Sequence, residues 1–194
     1  MKKYIAEALG TGALTLVVAL SLTSSFPVST PVLAGLVLGL FVYFIGSISG
    51  AHLNPAVTIG IWSLKKIPGR DALAYIVAQV IGAGAAMLLV SNTVELAPVT
   101  VAASGAVFLA EALGAFFFTF GIAAVVLEKV HSQMSGLVIG GSLLLGITIA
   151  ATLGSNGVLN PAVAWGIGSL NLLYVLGPIV GSLFGMQAYK YLSK

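Results

Sequence analysis

Apolar residues in this chain run in long blocks with polar breaks between them. Six blocks, at about residues 4–24, 32–51, 71–91, 104–127, 134–153 and 172–192, are apolar over nearly their whole length. Each reaches the roughly 20 residues that a helix needs to cross a hydrocarbon core. Backbone groups in lipid must be hydrogen-bonded within their own segment, so each block predicts a helix. The two-residue alternation of a membrane-barrel strand is missing. The first block, within "MKKYIAEALGTGALTLVVALSLTSS", also has the basic start and apolar centre of a secretory signal. Glu7 interrupts that core, no A-x-A cleavage site follows, and part of the segment recurs downstream. It is read as a helix.

Composition agrees. At 194 residues, length alone allows one domain or two small ones. The chain is 59% hydrophobic and only 7% charged, against about 25% charged in soluble globular proteins. There is no polar surface for a water-soluble fold, which places the chain in a bilayer.

Charge then orients it. Lys2 and Lys3 precede the first block, Lys65, Lys66 and Arg70 lie between the second and third, Lys129 between the fourth and fifth, and Lys190 and Lys194 end the last. With six crossings all of these share one side, which the positive-inside rule makes cytoplasmic, both termini included. The outer connections, around 25–31, 92–103 and 154–171, carry only Glu95. The basic residues form no aromatic-interleaved cluster, so no nucleic-acid partner is expected. There is no cysteine, and the two histidines, 79 residues apart, offer no metal-ligand set. Neither metal nor cofactor is expected.

The chain also repeats itself. "NPAVTIGIWSL" (Asn54–Leu64) returns as "NPAVAWGIGSL" (Asn160–Leu170), with eight of eleven positions identical and an offset of 106. "AEALGTGALT" (Ala6–Thr15) returns as "AEALGAFFFT" (Ala110–Thr119), offset by 104. Two halves of three spans each follow, about 1–97 and 98–194, together forming one membrane domain. An odd number of spans per half makes the repeat inverted. Asn54 then lies after a cytoplasmic span end and Asn160 after an outer one. Each copy is too short to span and too apolar for a loop. Asn before Pro is a good helix start, Asn as N-cap and Pro at the first helical position. Both copies predict half-helices dipping into the membrane with their N-termini meeting near the middle. Broken helices in inverted repeats pointing at one site are a transport architecture.

These residues resemble the aquaporin (major intrinsic protein) family: "SGAHLNPAVT" (Ser49–Thr58), the second "NPA" (Asn160–Ala162), "AYIVAQVIGA" (Ala74–Ala83), "GPIVGSLFG" (Gly177–Gly185) and the Glu-containing starts of spans one and four. The resemblance covers essentially the whole chain. It implies an all-α membrane fold of six transmembrane helices plus two re-entrant half-helices, with one pore per subunit, usually in homotetramers. It also implies a pore lined by the paired motifs Asn54, Pro55, Ala56 and Asn160, Pro161, Ala162, with the asparagine amides turned to the solute. The half-helix N-termini would exclude cations and protons. By the same resemblance Glu7, Glu111 and His52 brace the re-entrant loops.

Val163 departs from the family. Most members carry Arg after the second Asn-Pro-Ala, as part of an outer constriction. Counting from the two asparagines puts the other constriction positions near Ala34, Thr148 and Gly157, where water-selective members resemble an aromatic, a His and a small residue. The Asp of glycerol channels, one position further, is Ala164 here. The set Ala34, Thr148, Gly157, Val163 is small and neutral. It predicts a wide filter passing small neutral solutes: water and/or glycerol, urea, ammonia or undissociated metalloid acids. The alternatives are a strict water channel whose filter is refilled by Phe41 or Tyr43, or a closed protein with an adhesive role. A secondary transporter would need a charged midplane site. An enzyme would need a nucleophile, base and acid at compatible spacing, which no span offers. Glycine pairs at four-residue spacing (Gly35/Gly39, Gly46/Gly50, Gly136/Gly140 and Gly177/Gly181/Gly185) predict close helix approach.

Overall fold

The computed structural model describes residues 1–23, 27–94 and 104–194. Glu95 and the expected junction of the two halves near 97/98 lie outside the described residues. Among the described residues, six long helices and two short ones make up the fold. In chain order they are α1 (Lys2–Thr23), α2 (Thr30–Ser49), short α3 (Pro55–Ser63), α4 (Gly69–Ser91), α5 (Gly105–Val126), α6 (Ser135–Thr152), short α7 (Pro161–Gly166) and α8 (Leu173–Leu192). A single 3₁₀ turn, Ser132–Met134, leads into α6. The order long, long, short, long occurs twice.

Five of these segments (α1, α2, α4, α5 and Ser132–Thr152, which contains α6) are long and apolar enough to cross a membrane. Helix α8 matches them in length at 20 residues, but Pro178, Gln187 and Lys190 dilute its apolar character. It packs along α5 as α4 packs along α1, while α2 and α6 cross each other between these pairs. The interior is mostly apolar, as in a soluble protein, but the surface is apolar as well. Large apolar side chains such as Leu36, Leu88, Leu137 and Phe184 face outward, and Glu7, Glu111, Gln79 and Thr119 are fully enclosed. Such a surface is stable only against lipid.

Small residues set the helix spacing. A Cβ at Gly35 or Gly39 would lie 2.7 Å from the backbone oxygen of Gly140 or Gly136, so α2 and α6 touch backbone to backbone. Gly181 and Gly185 bring α8 equally close to Ala112 and Phe116 of α5. The pair Gly46/Gly50 is a correction to the expected close packing. Gly46 meets only Val42 of its own helix, and Gly50 ends α2 at φ 87°, its N–H donating to Gly46 O at 2.9 Å. That left-handed turn favours glycine and starts the first re-entrant loop.

Candidate functional site

The site is assembled where the two short helices meet. Asn54 and Asn160 are the N-caps of α3 and α7, each followed by a proline at the first helical position. Asn54 Oδ1 accepts from Ala56 N at 2.8 Å and Val57 N at 3.5 Å; Asn160 Oδ1 accepts from Ala162 N at 3.1 Å and Val163 N at 3.3 Å. These caps satisfy N–H groups that a helix start leaves free. The amide nitrogens then cross over. Asn54 Nδ2 donates to Leu159 O at 2.9 Å, and Asn160 Nδ2 donates to Leu53 O at 2.9 Å. One amide N–H of each asparagine ties the two tips together, and one remains.

The loops before the tips are strained and braced. Leu53 (φ 49°) and Leu159 (φ 53°) hold a left-handed conformation that costs a residue with a Cβ about 1 kcal/mol or more. Glu7 and Glu111, both fully buried, hold these loops from behind. Glu7 Oε1 accepts from Ser49 Oγ at 2.7 Å and His52 N at 3.0 Å, and its Oε2 from Leu53 N and Gln79 Nε2, each at 2.8 Å. Glu111 accepts from Ser155 Oγ, from Val158 N at 3.0 Å and from Leu159 N at 2.8 Å. Ser49/Ser155, His52/Val158 and Leu53/Leu159 are related by the 106-residue offset of the asparagines. Each leucine side chain lodges over a glycine. A Cβ at Gly10 would sit 2.5 Å from Leu53 Cδ2, and one at Gly114 2.8 Å from Leu159 Cδ2.

His52 has a further partner on the first loop. Its Nδ1 lies 3.2 Å from Thr58 Oγ1, which donates to Asn54 O at 3.0 Å and receives Gln79 Nε2 at 2.9 Å. Thr58 has only one hydroxyl proton, and it is committed to Asn54 O, so the bond pattern assigns the proton of the His52–Thr58 pair to Nδ1. Thr58 and Gln79 lie within the family motifs, but the sequence gives neither a role at the site. Their signal was the position of Thr58 four residues after Asn54 and a lone amide, Gln79, in an otherwise apolar span.

A cavity of about 340 Å³ reaches from the start of α2, at Thr30 and Pro31, down to the two asparagines and His52. Its walls are mostly aliphatic, including Leu14, Leu38 and Leu143, with Phe118 among them. No charged side chain is among its described lining residues. Of the expected filter residues, Ala34, Gly157 and Val163 line it. Thr148 does not, which corrects the expectation. Thr148 is exposed on the outer face of α6 with its hydroxyl bonded to Leu144 O at 2.8 Å, and its neighbour Ile147 lines the cavity. One residue along a helix is a rotation of about 100°, enough to exchange the lipid face for the cavity face. A Cβ on Gly157 would stand 2.8 Å from Ile147 O, so these two positions face each other closely.

Of the two Asn-Pro-Ala motifs, only the asparagines line the cavity; Pro55, Ala56, Pro161 and Ala162 are buried but stand away from it, a second correction. Phe41 and Tyr43, the side chains considered for refilling the filter, are not among the lining residues. Tyr43 is exposed and its Oη donates to Gln133 O at 2.9 Å, just before α6 starts.

Comparison with known proteins agrees with this architecture. The family model described as "Major intrinsic protein" matches residues 1–189. "Aquaporin AqpM" of Methanothermobacter thermautotrophicus is 35% identical, with 82% of this chain and 74% of that one covered. "Probable aquaporin AqpM" of Archaeoglobus fulgidus is 38% identical over the same shares, and "Nodulin-26" of Glycine max is 32% identical, covering 97% and 77%. Among solved structures, the aquaglyceroporin from Plasmodium falciparum superposes with a TM-score of 0.70 over 98% of this chain and 94% of that one, at 22% identity. That last likeness speaks for the fold alone.

Proposed function

Because this chain belongs to the major intrinsic protein family, a family of passive small-solute channels in membranes, we propose that it conducts small neutral solutes through a wide filter that lacks arginine. The observation that carries this reading is the lining of the cavity. Ala34, Ile147, Gly157 and Val163 supply no cation and no ring where the passage leads to the asparagine pair. A solute there exchanges water for the free amide N–H of Asn54 and Asn160, with aliphatic walls elsewhere. Water, glycerol, urea, ammonia and undissociated metalloid acids have the size and neutrality this demands. The N-termini of α3 and α7 place partial positive charge at the asparagines, which opposes cations and protons. No covalent step is needed, and no enzymatic role is proposed. The chain acts as a single membrane domain of two inverted halves, about 1–97 and 98–194. Its setting is the cell (inner or plasma) membrane, as a homotetramer with both termini cytoplasmic.

The test is stopped-flow light scattering on proteoliposomes, with water efflux, glycerol entry and urea entry measured for the native chain and for Val163→Arg. Solute entry well above empty vesicles should fall about tenfold or more in the variant while water flow persists, because a guanidinium fills the ring and its charge demands hydration. Fast water flow without solute entry would make this a strict water channel. No flux in either assay would favour a closed protein.

A further inference from the structure

Three of the chain's eight basic residues, Lys65, Lys66 and Arg70, fall within six positions at the connection from α3 to α4. Helix α3 ends there with Lys65 N donating to Trp62 O at 2.8 Å and Lys66 N to Ile61 O at 3.2 Å. The turn borders a shallow, open hollow walled by Trp62, Lys65, Lys66, Ile67, Pro68 and the first residue of α4, Gly69. The nearest carboxylate in sequence is already engaged. Asp71 Oδ2 takes Lys3 Nζ at 2.8 Å, and Asp71 Oδ1 takes Tyr4 Oη at 2.7 Å. Lys65, Lys66 and Arg70 therefore have no ion-pair partner among the described residues.

The hollow also has an apolar side. Trp62 is 52% exposed, and its ring lies at the start of α4, with Nε1 3.4 Å from where a Gly69 Cβ would stand. Exposed indoles of this kind favour the boundary between headgroups and acyl chains. From Arg70, the α4 residues Leu73 (65% exposed), Val77 (51%) and Ile81 (63%) follow at helical spacing on one face. A charged rim thus continues into an apolar track that runs along a spanning helix.

We propose that this hollow binds the headgroup phosphate of an anionic phospholipid. Lys65 and Lys66 on its wall neutralise the phosphate with the exposed Arg70 beside it, the Trp62 indole N–H donates to it, and the acyl chains lie along Leu73, Val77 and Ile81. A soluble anion would match only the charged half of this surface, whereas a phospholipid matches both. The site is independent of which solute the channel conducts.

The test is native mass spectrometry of the purified chain in non-ionic detergent, titrated with phosphatidylglycerol or with phosphatidylcholine of the same acyl chains. Phosphatidylglycerol should be retained preferentially. The Lys65→Gln/Lys66→Gln/Arg70→Gln variant should lose that retention by about tenfold or more, while Lys190→Gln/Lys194→Gln keeps it. Trp62→Phe, which removes the N–H and keeps a ring, should weaken it about threefold. Millimolar glycerol phosphate should leave the adducts in place. Equal retention of the two lipids, or equal losses in the triple and double glutamine variants, would overturn the site. Displacement by glycerol phosphate would overturn the lipid and assign a soluble anion in its stead.

Discussion

At the scale of single residues, the pair Glu7 and Glu111 explains how two leucines stay in an unfavourable backbone conformation. An ionised carboxylate is acceptor-only, and here it faces only donors: backbone N–H groups, a serine hydroxyl and, for Glu7, the Gln79 amide. Glu111→Gln keeps the shape but replaces one acceptor oxygen by an NH₂ that must face Leu159 N or the Ser155–Val158 side. The expected cost is about 2–3 kcal/mol, read as a lower thermal unfolding midpoint of the detergent-solubilised chain. An unchanged midpoint would show that the loop needs no brace from behind. The bracing role was readable beforehand only through family resemblance. A lone glutamate in a span says that it is enclosed, but not which N–H groups enclose it.

At the scale of elements, the crossing of α2 and α6 is set by backbone contact, because glycines occupy both sides. A Cβ on Gly140 would meet Gly35 O at 2.3 Å and Gly39 Cα at 3.2 Å, and neither can swing aside as a side chain would. Gly141, the next residue, has nothing within 4 Å. Gly140→Ala should therefore destabilise by about 1–3 kcal/mol through overpacking, and Gly141→Ala should be neutral or stabilise by up to about 1 kcal/mol through helix propensity. Unfolding midpoints of the two variants check the pair, and equal shifts would refute the crossing. The four-residue spacing of these glycines announced the contact in the sequence. The same spacing misled at Gly46/Gly50, because a helix-ending glycine and a packing glycine look alike until the chain is seen to turn.

At the scale of the whole molecule, six crossings would place every basic residue on one face, and that asymmetry is the ground for the proposed orientation. The chain has no cysteine, so Lys194→Cys supplies a unique label at an exposed C-terminal position. A membrane-impermeant maleimide should label it only after cells are permeabilised; labelling of intact cells would invert the proposed topology. The number of spans, the broken helices and the repeated asparagine start of the two short helices were all determined by the sequence itself. Span hydropathy is a sum over neighbours in the chain, a cap-and-proline start is a local signal, and a repeat is visible without coordinates. Tertiary structure alone decided which side chains face the passage. It turned Ile147 inward and Thr148 out, left only the asparagines of the two motifs on the cavity wall, and spent one amide N–H of each on the opposite loop. These outcomes depend on helix rotation and on contacts between residues more than a hundred positions apart, and neither is encoded in any short stretch of the chain.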